Sequence, residues 1–84
     1  MSEVRDLTRT EAALLRYLQK RTRHTGERIL VYQTNRQFWR PGGRTGPGWN
    51  PATFHALVRA RLAAYHRGDY GGTFISLTPE GIRT

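Results

Sequence analysis

From Asn50 onward apolar residues recur at steps of three or four, so that Phe54, Leu57, Val58, Leu62 and Tyr65 gather into one stripe while His55, Arg59, Ala60 and Ala63 fall outside it. Asn50 suits an N-cap, because its side-chain oxygen accepts from an otherwise unpaired backbone N–H, and Pro51 follows where a missing N–H costs nothing. The pattern predicts an amphipathic helix over 51–65. The period then changes. Tyr65 to Arg67 and Thr73 to Leu77 flank Gly68-Asp69-Tyr70-Gly71-Gly72, and Phe74-Ile75-Ser76-Leu77 has the β-branched and aromatic content of a strand. Residues 66–77 therefore read as a glycine-tipped β-hairpin.

The first half of the chain is patterned less evenly. Thr8 and Glu11 have the spacing of a capping box, with Leu7 placed as a hydrophobic staple, and a helix should begin there. Leu14, Leu15, Leu18 and Ala12 supply its buried stripe. Arg16, Lys20, Arg21 and Arg23 crowd its later turns, either as a solvated helix end that complements the dipole or as a binding cluster. The helix should stop near His24-Thr25-Gly26, with Gly26 as the left-handed residue. Arg28 to Tyr32 is a compact apolar run and a candidate first strand, placed to pair with the hairpin. Thr34-Asn35-Arg36-Gln37 repeats the capping-box spacing, which predicts a short second helix through Phe38 and Trp39, ended by Pro41; one longer extended segment from Arg28 to Trp39 is the alternative. Residues 41–49 hold four glycines and two prolines, which excludes a helix or a central strand and makes them a loop. Met1 to Asp6 reads as a disordered lead-in.

Length adds one constraint: 84 residues make a single domain, 1–84, with a modest core and no room for a deep substrate cavity. Charge adds another. Fourteen basic residues against six acidic ones give +8, and Lys20 is the only lysine. The arginine bias fits either a codon preference or guanidinium recognition of phosphates and base edges. The excess positive charge itself points to a polyanion, nucleic acid ahead of an acidic protein or a membrane surface. There is no cysteine, so thiol catalysis, disulfides and cysteine-based zinc sites are excluded. No apolar run approaches the ~20 residues of a membrane span, and the N-terminus lacks a signal-peptide core, so the expected setting is the cytoplasm.

A helix followed at once by a β-hairpin and closed by Leu77-Thr78-Pro79-Glu80-Gly81 resembles the recognition helix and wing of winged-helix DNA-binding regulators of the MarR and PadR kinds, in which L-T-P-x-G commonly ends the second wing strand. The resemblance covers Asn50 to Gly81. It implies an α+β fold: a small winged helix-turn-helix with about three helices and a small antiparallel sheet that includes the C-terminal hairpin as wing. The loop 41–49 departs from the family pattern, in which the turn between the second and third helices is much shorter.

On that resemblance the chain is expected to bind duplex DNA in a sequence-specific way, as a small transcriptional regulator or a phage or plasmid accessory factor. The helix would enter the major groove and the wing would lie over the backbone or the minor groove. Asn50, Thr53, His55, Ala56 and Arg59 are the candidates near base edges, with Thr53 and Ala56 suited to a thymine methyl and Arg59 to guanine. Arg36, Arg40, Arg44, Arg61 and Arg67 are the candidates for phosphates, although the aliphatic stem of Arg61 also fits a role in covering the apolar stripe. A homodimer or cooperative assembly on half-sites is expected. The alternative is an RNA-binding or protein-interaction module that uses Arg40, Arg44 and Trp49 of the loop, while Trp39 and Trp49 equally suit a small core.

Catalytic and metal chemistry find little support. His24, His55 and His66 have no ligand spacing, His55, Arg59 and Tyr65 match nucleases only in residue type, and Gly42-Gly43-x-x-Gly46 lacks the lysine and flanking strand of a P-loop. No enzyme activity, cofactor or metal is expected.

Overall fold

The computed structural model describes residues 7–25, 28–33, 38–42 and 46–84. The expected lead-in 1–6, the left-handed Gly26, the second capping box at 34–37 with Arg36, and Arg44 lie outside the described residues.

Helix α1, Arg9–Thr25, starts where the capping box places it. The Thr8 hydroxyl accepts the Glu11 N–H at 3.1 Å and the Glu11 carboxylate accepts the Thr8 N–H at 3.0 Å, so each residue satisfies a donor the helix start leaves unpaired. Leu14, Leu15 and Leu18 form its buried stripe, and Leu7 packs beside them.

Four antiparallel strands follow: β1 Ile29–Gln33, β2 Trp39–Pro41, β3 Ala63–Arg67 and β4 Thr73–Leu77, in the spatial order β2-β1-β4-β3. The expected first strand does pair with the hairpin, Leu30 facing Phe74. Alternation decides what each strand buries. Ile29, Val31, Ala63, Ile75 and Leu77 point into a core shared with α1 and helix α2, Pro51–Arg59. Each buried isoleucine, valine and leucine among these contributes roughly 1.5–3 kcal/mol. No helix among the described residues is long and apolar enough to cross a membrane.

The α+β class read from the sequence holds: the described residues form three helices and a four-stranded antiparallel sheet, consistent with a small winged-helix-like arrangement. Two boundaries differ. The second helix expected to run through Phe38 and Trp39 does not form there; nor does a single extended segment, because β2 turns back to pair with β1, Gln33 facing Trp39. The reason is long-range pairing: Trp39 and Trp49 exchange backbone hydrogen bonds at 2.8 and 2.9 Å, which holds Trp39 extended. Pro41, on the edge strand, gives up no interior ladder bond.

The second difference is the length of α2. It ends at Arg59 rather than running to Tyr65. The Arg61 N–H bonds to the Val58 carbonyl and the Leu62 N–H to the Leu57 carbonyl, each at 3.0 Å, with Arg61 at φ 63°: this is a Schellman termination with arginine in the left-handed position. Leu62 and Tyr65 belong to the apolar stripe by helical count, but the chain has already turned, and β3 begins at Ala63. The first strand of the hairpin therefore starts three residues earlier than the sequence pattern places it.

Leu77-Thr78-Pro79-Glu80-Gly81 closes β4 and opens helix α3, Pro79–Arg83, with Thr78 as N-cap accepting the Gly81 N–H at 3.1 Å. The Gln19 side chain donates to the Gly81 carbonyl at 2.8 Å, tying α3 to α1.

Candidate nucleic-acid interface

Asn50 begins the site. Its side-chain oxygen accepts the Ala52 N–H at 2.9 Å, which fixes the first turn of α2 and leaves the exposed amide NH2 as its remaining donor. Phe54 and Leu57 turn inward, so the helix presents Ala52, His55 and Arg59 to solvent along one stripe. Thr53 is corrected. It is only 8 % exposed, on the core side of the helix, and has no surface to offer a base. Ala56 is half-buried on the flank of the stripe. It lines a cleft of about 610 Å³ together with Arg59, Arg61, Glu11 and Glu80, so whatever approaches Ala56 meets two carboxylates as well as two guanidinium groups.

His55 is held from behind. The Tyr65 hydroxyl lies 2.9 Å from His55 Nδ1, and the two rings meet edge-on with centroids 5.6 Å apart. Trp39 stands edge-on to both, 5.4 Å from His55 and 6.2 Å from Tyr65, and packs on Phe54 at 5.5 Å. Burial pushes the Tyr65 hydroxyl up to about 12, because the phenolate would lose solvation. Tyr65 therefore keeps its proton near neutrality. The bond to Tyr65 occupies Nδ1 and leaves Nε2 as the ring nitrogen of this exposed side chain outside it. Such a group can hydrogen-bond a base edge.

The basic residues divide into two sets. Arg59, Arg61 and Arg67 are exposed. Arg40 is half-buried, and its guanidinium donates to the Gly46 carbonyl at 3.0 Å, so it holds the loop's far side against β2. Trp49 is committed too. It is pinned to Trp39 through the backbone, its ring lies 6.4 Å from that of Tyr17, and its indole N–H is buried with no hydrogen-bond partner among the described residues. Of the two roles open to Trp39 and Trp49 in the sequence, the structure supports the core one. In the basic cluster on α1, Arg16, Lys20 and Arg23 face solvent, whereas the Arg21 guanidinium lies over Gly42, where a β-carbon would come within 2.9 Å of it.

Sequence reasoning missed the support behind His55. The bond to Tyr65 joins positions ten apart across the turn from α2 into β3, and no local pattern advertises it. Had the helix run on to Tyr65, this pairing would not form. Among the described residues no three His, Asp or Glu side chains come together as a metal-binding group. No protein-family model, no curated protein and no solved structure matches the chain.

Proposed function

We propose that the chain is a sequence-reading duplex DNA-binding protein of the winged-helix kind, with α2 as recognition helix and the β3–β4 hairpin as wing. The observation that carries this reading is the outward stripe of α2, where Ala52, His55 and Arg59 stand clear of the core on one face. Each side chain suits a base edge: Ala52 a thymine methyl, His55 Nε2 a hydrogen-bonding group, and Arg59 the paired acceptors of guanine. The helix has nine residues and, with side chains, is about 10–12 Å across, which a major groove about 12 Å wide admits.

Supporting it are the hairpin that follows α2 directly, exposed Arg67 at its end, and the charge of +8. Arg61 and Arg67 are then the phosphate-side contacts, the exposed Asn50 amide stays near the base edges at the start of α2, and Arg40 acts by holding the loop. The segment that would be the second helix of the motif is replaced at 39–41 by β2, so the reading rests on helix and wing rather than on a complete helix-turn-helix. Three outward side chains make a small interface, which calls for two copies or cooperative assembly on repeated or palindromic half-sites. The role is that of a small transcriptional regulator or a phage or plasmid accessory factor, acting in the cytoplasm without a catalytic step.

The test is selection from a random duplex pool at physiological salt, read by sequencing. Enrichment of a short motif, repeated or palindromic, is the expected result. Retention of duplex with no motif would overturn the base-reading role of α2.

A further inference from the structure

The helices cover one face of the sheet, and the other face is left with an arrangement that the reading above does not use. Leu30, Tyr32, Ala64, His66, Phe74 and Ser76 alternate with the core residues and so share the side away from α1 and α2. They lie across neighbouring strands: Leu30 faces Phe74, Phe74 faces His66, and Ala64 faces Ser76. The His66 ring and the Ser76 hydroxyl are 2.6 Å apart, which steadies the imidazole against the sheet. Leu30 is 43 % exposed, a large apolar side chain open to water in the middle strands.

At the hairpin end this face deepens into a cleft of about 530 Å³ with Phe74 in its lining. The glycines beside it make the room. A β-carbon on Gly68 would stand 2.7 Å from the edge of the Phe74 ring, and one on Gly72 would meet both Phe74 and Leu30 at ordinary contact distance. Tyr70 also lines the cleft and is fully exposed, at 102 %. Arg28 and Arg67 line it too, with one carboxylate, Asp69, so positive charge is in excess by one.

We infer that this cleft and the adjoining sheet face form a second nucleic-acid site, a stacking platform for the unpaired bases of a single strand. Phe74 and Tyr70 offer aromatic faces to bases, and Arg28 and Arg67 meet the phosphates between them. Duplex DNA does not fit this role, because its bases are already stacked on one another and show the protein only their edges. A second copy of the chain fits less well: packing this face on itself would set four arginines against two Asp69 carboxylates, between chains of charge +8. A flexible polyanion with exposed π-faces satisfies both the arginines and the aromatic floor. The site lies on the opposite side of the sheet from α2; it shares Arg67 with the duplex reading, while Phe74 and Tyr70, which the test removes, belong to it alone.

The probes are fluorescein-labelled oligo(dT) and oligo(U) of about a dozen nucleotides, within the span of small single-strand sites, followed by anisotropy at moderate salt. Tyr70→Ala tests a side chain with no packing role, and Phe74→Leu keeps an apolar side chain against Gly68 while removing the ring. Each should weaken binding roughly five- to hundredfold, the range for loss of one base–aromatic stack. Amide shifts on titration should centre on Leu30, Gly72 and Phe74 rather than on Ala52, His55 and Arg59. Equal binding of the two oligomers would assign recognition to bases and phosphates alone, whereas preference for oligo(U) would add the 2′-hydroxyl; either is a supporting result. Wild-type affinity in both variants, or no binding by the wild type, would overturn the platform. Self-association that disappears in Phe74→Leu would overturn it as well, by giving the face to a second copy. Failure to find a duplex motif would leave this test standing, since it reads the other side of the sheet.

Discussion

The Thr78 hydroxyl donates to the Arg61 carbonyl at 2.6 Å, which binds the residue after β4 to the turn where α2 becomes β3. The Thr78 N–H bonds to the Leu62 carbonyl at 3.0 Å in the same place, and the Thr78 hydroxyl also accepts from Gly81. Thr78 is thus both the cap of α3 and the clasp of the corner between α2 and β3. Thr78→Val keeps the shape and loses both hydroxyl bonds, so it should lower stability by about 2 kcal/mol, with Thr78→Ser recovering most of the loss. Urea unfolding of the three proteins measures this.

Gly81 completes the clasp by having no side chain, because a β-carbon there would run into the Leu62 carbonyl oxygen. Replacing glycine by alanine inside a helix ordinarily gains about 1 kcal/mol. At this position the sign should reverse: Gly81→Ala should cost roughly 1–3 kcal/mol or more, as overpacking does. A gain in the same unfolding measurement would show that α3 is not docked against Leu62.

Arg61 occupies the left-handed position that usually belongs to glycine, at φ 63°. Arg61→Gly should therefore stabilise the fold by about 0.5–1 kcal/mol, the relief of strain being partly offset by a freer unfolded chain. If Arg61 also meets phosphate, duplex affinity should fall while the melting temperature rises. Opposite signs in a melt and a binding curve would separate the two roles of the residue; loss of both would place Arg61 in the packing.

What was legible in the sequence is what neighbours decide. The Thr8–Glu11 box and the Asn50 cap are contacts two or three residues apart, and the glycine-tipped hairpin carries its own turn chemistry. The two misread boundaries depend on distant partners. At 38–41, pairing of Trp39 with Gln33 and Trp49 holds extended a stretch that the local pattern assigns to a helix. At the end of α2, Leu62 fits a helical stripe, and only the left-handed Arg61 breaks it; without a glycine there, the sequence gives no sign of the stop. Thr53 was misplaced for a related reason. A polar residue near a helix start reads as outward, yet the rotation of α2 about its axis is set by Phe54 and Leu57, which carry Thr53 toward the core with them.

Tyr65 makes an alkaline signature. Its hydroxyl titrates near 12 in the folded chain against an ordinary 10, so the native state holds this proton more tightly than the unfolded chain does. The associated stability is fully present below pH 10 and is lost as pH rises through 12. Ultraviolet titration of tyrosinate should show a late-ionising group that is missing from Tyr65→Phe, and the stability difference between the two proteins should change across this window alone. An early, uniform titration of all tyrosines would mean that Tyr65 is open to water and His55 has lost its support.

Arg59 and Arg67 are both exposed, but they occupy different elements, and the duplex reading demands different behaviour from them. Arg59 lies on the outward stripe of α2, so Arg59→Ala should alter which duplexes are selected, with a loss of about 1–3 kcal/mol on the preferred site and less elsewhere. Arg67 ends β3 at the base of the hairpin tip, where a phosphate contact carries no sequence information. Arg67→Ala should weaken every duplex by a similar factor and reduce the slope of log affinity against log salt by about 0.9. Binding curves on the selected site and on a scrambled duplex, each at several salt concentrations, read both effects. Uniform losses in both variants would reduce α2 to another cationic surface, because an arginine aimed at a base edge cannot be removed without changing the preference among bases.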